Sequence, residues 1–149
     1  MTLTELIGPD HVFPRLRAAD KQMLLAELGG RAATMLHLPA AAVTSSLAAR
    51  EALGSTGIGG GIAVPHARID GIEAPAGFFA RLERPIDFAA IDGKPVDLVF
   101  LLLSPAQGHG AHLAALAAAS RRLRDRTVAE AIRAAGSGPA MRIALLGDA

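Results

Sequence analysis

Apolar positions recur along this chain in two rhythms, a helical one near both ends and a strand-like one in the middle. Val12, Phe13 and Leu16 mark a short strand over residues 10–17. Pro14 within it has no N–H to give a ladder, so that strand belongs at a sheet edge. Asp20 stands where a helix cap is wanted, and Leu24, Leu28, Ala32, Met35 and Leu36 follow at helical spacing. Gly29 and Gly30 fall inside that run at about 1 kcal/mol each and are read as a soft spot. Pro39 and Gly54 bracket a second helix, with Val43 and Leu47 on its apolar face. The stretch GSTGIGGG at 54–61 reads as a loop. It feeds a short buried strand, Ile62-Ala63-Val64, that is expected to stop at Pro65. Phe78, Ala80 and Leu82 alternate with Phe79, Arg81 and Glu83, which predicts a half-buried strand. Asp92-Gly93 signals a turn. The unbroken apolar run from Leu98 to Leu103, ended by Ser104-Pro105, suits a central strand covered on both faces. Three helices are predicted after it. One has its stripe at Leu113, Leu116, Ser120 and Leu123, one carries Val128 and Ile132 and ends at Gly136, and one starts at Pro139 with Met141 and Leu145. This order predicts an α/β protein, a three-layer α/β/α sandwich with a mixed β-sheet, in one domain over residues 1–149.

Composition narrows the function. Half the chain is hydrophobic (51%) and 19% is charged, with a net charge of +1, so a buried core is available and self-repulsion is absent. A nucleic-acid binder would carry a basic excess and aromatic platforms, whereas aromatics here are 3%. The lack of cysteine excludes disulfides, thiolate metal sites and a cysteine nucleophile. No apolar run approaches the roughly 18 residues of a membrane span, and residues 1–10 do not resemble a signal peptide, so a cytoplasmic protein without membrane insertion is expected. Arginine outnumbers lysine 13 to 2, read here as compositional bias.

The glycine stretch does not fit a nucleotide motif. A G-x-G-x-x-G pattern from Gly57 needs glycine where Ile62 stands, and no Gly-Lys-Ser/Thr is present. Histidines are more informative. His66 follows Pro65 at the end of the short strand, where reactive groups of open sheets collect. His109 and His112 form an H-x-x-H pair after the central strand, without the third ligand or the H-E-x-x-H spacing that a zinc site needs. At a helix start, His112 is biased toward its neutral form and can donate to an anion. Arg50, late in the second helix, can return beside His66 if the glycine stretch reverses the chain. Arg68 and Arg81 are read as surface charges. A neutral imidazole can attack phosphorus and leave again, and a guanidinium stabilises the equatorial oxygens, so His66, His112 and Arg50 suggest phosphoryl transfer.

The segment REALGSTGIGGGIAVPHA at 50–67 resembles the active-site signature of the phosphoenolpyruvate–sugar phosphotransferase IIA domains of the fructose/mannitol type, and among these the nitrogen-regulatory branch. LERPIDF at 82–88, AIDGKPVDL at 90–98 and His112-Leu113 resemble the same branch, so the likeness runs from about residue 10 to residue 146. The resemblance implies the phosphotransferase/anion-transport fold and a cytoplasmic phosphocarrier without cofactor or metal. In it His66 is phosphorylated through Nε2 by an HPr-like carrier (NPr), His112 positions the phosphoryl group and Arg50 stabilises its charge. Partner binding set by phosphorylation state is the implied output. The chain departs from the family pattern at Ala67, where glycine is more usual, and in the flexible Gly108-His109-Gly110. A transport IIA passing the group to a separate IIB is the alternative. A non-catalytic anion- or partner-binding module of the same fold is a second, and a metal hydrolase on His109 and His112 the last.

Overall fold

The computed structural model describes residues 2–107 and 109–147, with the side chain of His109 outside the described part. The chain runs through α1 (Leu3–Leu6), a 3₁₀ turn (Pro9–His11), β1 (Val12–Leu16), α2 (Lys21–Leu36) and α3 (Ala40–Ala52). Next come β2 (Gly57–Gly59), β3 (Ile62–Ala63), β4 (His66–Ile69), β5 (Ala76–Ile86) and β6 (Val96–Pro105). Three helices follow, α4 (His109–Arg124), α5 (Arg126–Ala134) and α6 (Gly138–Leu146). The strands form one mixed sheet in the order β1-β5-β6-β3-β2, with β4 also paired to β6. β6 is central. Its odd residues Val99, Leu101 and Leu103 pack on one face with Leu24 and Leu28 of α2 and Val43 and Leu47 of α3. Its even residues Leu98, Phe100 and Leu102 pack on the other with Ala115, Ala119 and Leu123 of α4, Ile132 of α5 and Leu145 of α6. A strand alternates its side chains between two faces, so a wholly apolar strand is stable only when both are covered. The expected three-layer sandwich is what the chain adopts.

Three local readings change. The glycine stretch is not a plain loop. β2 and β3 pair antiparallel across Gly60 and Gly61, both left-handed (φ +68° and +81°), the geometry of a two-residue hairpin turn. Nor does the strand stop at Pro65. β3 and β4 both run parallel to β6 in one register, Ile62 opposite Leu98 and His66 opposite Leu102. They are two halves of one strand line. Pro65 has no N–H but its carbonyl still accepts from Leu102 N at 3.0 Å, so the proline removes one rung and the ladder resumes. The Gly29-Gly30 pair lies inside the continuous α2, and Gly29 has a packing role. A Cβ at Gly29 would lie 3.0 Å from Leu47 Cδ1, so glycine there lets α2 and α3 pack closely.

The buried face of α4 also differs from the predicted stripe. Leu113 is exposed, while His112, Ala115, Ala119 and Leu123 face the sheet, with Leu116 packed beside them. Alanines allow the helix to lie near the strands, and Leu113 turns outward.

Arg81 is no surface charge. From β5 its Nη1 donates to the carbonyls of Ile132 (2.9 Å) and Ala135 (2.6 Å) at the end of α5, and its Nε to Pro14 O at 3.1 Å. Arg122 donates likewise to Leu145 O and Ala144 O at the end of α6, and Arg142 to Ile7 O at the end of α1. The last carbonyls of a helix have no intrahelical donor and carry its negative dipole end, so each guanidinium supplies both hydrogen bonds and charge. Arg81→Met, which keeps an apolar stem, should lower the unfolding free energy by about 1.5–3 kcal/mol in urea titration, the range for hydrogen bonds from a charged donor.

Candidate functional site

The parity that sorts the core also sorts the candidate site. Ile62 and Val64 lie on the α4 face of the sheet, so His66, two residues further on the same strand line, points there too. Ser104, two beyond Leu102 on β6, shares that face. α4 covers it with His112 in its first turn, and the His66 and His112 rings lie 5.4 Å apart between centroids, tilted by 54°. His112 is 8% exposed and its Nδ1 lies 2.7 Å from Ser104 Oγ.

His66 is half-buried, and its two nitrogens are distinguished by their partners. Nδ1 lies 2.8 Å from the carbonyl of Val64. A carbonyl only accepts, so Nδ1 carries the proton and Nε2 the lone pair. Into that lone pair Arg50 donates from Nε at 3.2 Å, while its Nη1 donates to Gly54 O at 3.0 Å. Burial pushes the His66 pKa below its ordinary value of about 6.5; the Val64 bond opposes this, the Arg50 charge adds to it, and the Glu51 carboxylate opposes it. At neutral pH the ring is therefore a neutral imidazole with its Nε2 electron pair facing a guanidinium.

Arg50 reaches His66 because the chain end of α3 is clamped. Glu51, buried, accepts from Thr56 Oγ1 (2.6 Å), Thr56 N (3.0 Å) and Lys21 Nζ (2.8 Å). Ser55 Oγ donates to Phe88 O at 2.7 Å and accepts from Gly57 N at 3.0 Å. These bonds tie the start of the hairpin to α3 and to the segment after β5. A buried carboxylate is tolerated only when paired and hydrogen-bonded, and Glu51 is both. Glu51 lies in the motif of residues 50–67, but sequence reasoning gave it no role. Thr56 and Lys21 were missed, and no pattern links Lys21 to a carboxylate thirty positions away.

The structure thus brings together Arg50, His66 and His112, and adds Ser104 and Glu51. Arg68 is exposed on β4, and Arg81 serves α5. Among the described residues no group of three or more His, Cys, Asp or Glu is placed to hold a metal ion, and no helix is long and apolar enough to cross a membrane. A neutral imidazole whose Nε2 electron pair faces a guanidinium, with a second imidazole beside it, is suited to accept and hold an anionic electrophile such as a phosphoryl group.

Residues 5–145 match the family model described as phosphoenolpyruvate-dependent sugar phosphotransferase system, EIIA 2. The nitrogen regulatory protein of Bradyrhizobium diazoefficiens is 45% identical over 142 residues, which cover 95% of this chain and 92% of that one. The crystal structure of nitrogen regulatory protein IIA-Ntr from Neisseria meningitidis superposes with a TM-score of 0.90 at 34% identity, covering 96% of this chain and 98% of that one. IIA mannitol from Escherichia coli has the same fold, with a TM-score of 0.79 at 20% identity over 93% of this chain and 98% of that one.

The lowered His66 pKa has a thermodynamic counterpart. Below about pH 6.5 the unfolded chain takes up a proton at this position that the folded chain refuses, so stability is lost as pH falls through the folded value. Unfolding midpoints measured from about pH 7 down to about pH 5 should decline more steeply for the native chain than for His66→Gln.

Proposed function

This chain belongs to the EIIA 2 family of the phosphoenolpyruvate-dependent sugar phosphotransferase system, alongside the nitrogen regulatory proteins, and we propose that it is a regulatory phosphocarrier whose His66 is the residue phosphorylated. Family members are phosphocarrier components of a phosphoryl relay. The observation that carries the finer reading is the tautomer of His66. Val64 O holds the Nδ1 proton and leaves the Nε2 lone pair opposite Arg50.

The donor in this reading is a phosphohistidine on an HPr-like carrier (NPr). The P–N bond to the donor breaks as a P–N bond to His66 Nε2 forms, and the donor nitrogen keeps the electron pair. His66 retains its Nδ1 proton on Val64 O throughout, so no proton has to move on this chain. The bond to phosphorus consumes the lone pair that Arg50 Nε occupies, so the guanidinium must turn from Nε2 to the phosphoryl oxygens. His112, its ring 5.4 Å away, acts as the second group that positions them. Phosphorylation adds about −1.5 to −2 charges. That carries the net charge from +1 to slightly negative and concentrates the change at one surface, a signal that partner proteins can read.

Incubation with phosphoenolpyruvate, enzyme I and an HPr-like carrier should raise the intact mass by one acid-labile phosphoryl group. His66→Ala should abolish the rise, and His112→Ala should slow it by about tenfold or more. Because His66 stays neutral below its ordinary pKa, the rate contributed by this chain should hold as pH falls through about 6.5 and drop only at more acid values. No mass change, or one that survives His66→Ala, would falsify the reading. Rapid transfer from the phosphorylated chain to a IIB cysteine would make it a transport subunit, since this chain has no cysteine of its own.

A further inference from the structure

Ser104 follows the unbroken apolar run Leu98–Leu103 of β6. Leu98, Phe100 and Leu102 precede it on the α4 face, and all four residues are 0% exposed. A hydroxyl at that depth needs a partner for its proton, because a buried donor left unpaired forfeits its hydration without return. Among the described residues no buried side-chain nitrogen or oxygen lacks a hydrogen bond. The hydrogen bond that Ser104 Oγ makes with another side chain is to His112 Nδ1, at 2.7 Å.

This contact can be written in two directions. Were Nδ1–H to donate to Oγ, the serine proton would have nowhere to go in the dry end of the sheet. When Oγ–H donates to Nδ1, both groups are satisfied by one bond. We propose that Ser104 is a positioning residue: its hydroxyl donates to Nδ1 of His112 and holds that ring with its proton on Nε2, as a donor toward an anion carried on His66. The two imidazoles then occupy opposite tautomers. His66 has its proton on Nδ1, held by Val64 O, and its lone pair on Nε2. His112 has its lone pair on Nδ1, held by Ser104, and its proton on Nε2. One ring is set as the nucleophile and its neighbour, 5.4 Å away, as the hydrogen-bond donor, with neither ring charged. Without the serine hydroxyl the hold on Nδ1 is lost, both tautomers are populated, and only a fraction of molecules present a donor.

The role for His112 rests on the phosphocarrier reading, but the tautomer does not, so the two fail separately. Imidazole ¹H–¹⁵N spectra of the unphosphorylated, ¹⁵N-labelled chain near neutral pH should place the His112 proton on Nε2 and the His66 proton on Nδ1. Ser104→Ala removes one oxygen from the strand and should convert the His112 signals to those of a mixture, while His66 keeps its pattern. The same substitution should slow phosphoryl transfer to His66 by about three- to tenfold, the value of one hydrogen bond. It should cause no further slowing in a His112→Ala background, which a loss caused by general loosening of the sheet would not obey. A wild-type His112 protonated on Nδ1, an unchanged spectrum in Ser104→Ala, or a rate loss that persists undiminished without His112 would each overturn the proposal. A shifted tautomer with an unaltered transfer rate would uphold the hold of Ser104 on the ring and overturn the phosphoryl-positioning role of His112.

Discussion

The ladder between β6 and the interrupted β3–β4 line governs this molecule. It is parallel, lies in the middle of the sheet, and keeps one register across a proline that cannot contribute its N–H. That register decides which side chains meet. It puts His66 opposite Leu102, with Ser104 two residues beyond on the same face, and His112, buried in the first turn of α4, comes against both. A slip of one residue would send His66 to the α2–α3 face and Ile69 to the other. The apolar pattern of β6, buried on both sides, is what forbids the slip.

The proline-sized gap in that line is also where the reactive group gets its electronic character. The carbonyl of Val64, which directly precedes the proline, is turned toward the ring of His66. The same two-residue stretch therefore breaks the ladder, supplies the acceptor and fixes the tautomer. On the opposite side, α3 contributes Arg50 only because Glu51 fastens its last turn to Thr56 and Lys21. A candidate active site at a sheet rim is thus built from three scaffolds whose relative positions are fixed by main-chain pairing, one buried carboxylate and one buried hydroxyl.

Much of this was legible in the sequence, for identifiable reasons. β6 shows itself through six consecutive apolar residues, and α2 through its Asp20 cap, whose carboxylate accepts from Met23 N at 2.8 Å. His66, His112 and Arg50 stood out because their residue types suit one chemistry. What escaped notice had its signal masked. Glycine marks both loops and tight hairpins, so β2 is hidden among the five glycines of 54–61, while its partner β3 shows as the short apolar strand at Ile62. Proline ends most strands, and only the neighbouring strand reveals that β4 continues the line. The inward face of α4 rests largely on Ala115 and Ala119, which carry too little hydrophobic contrast for periodicity to find, and the larger Leu113 masks it. Ser104 was read as the end of a strand, since a single polar residue after an apolar run looks the same whether it meets solvent or a buried imidazole.

The arginine excess takes on another meaning beside Arg81, Arg122 and Arg142. A planar fork with several N–H groups can serve two or three carbonyls at once, which a single ammonium on a flexible stem does poorly. At these positions arginine fastens the ends of α5, α6 and α1, whereas Arg126 is exposed. Under a drift in base composition the exposed arginines are the ones free to become lysine. The helix-end arginines would be left behind as fixed points, visible in descendants of this chain as arginines standing where the exposed ones have become lysine.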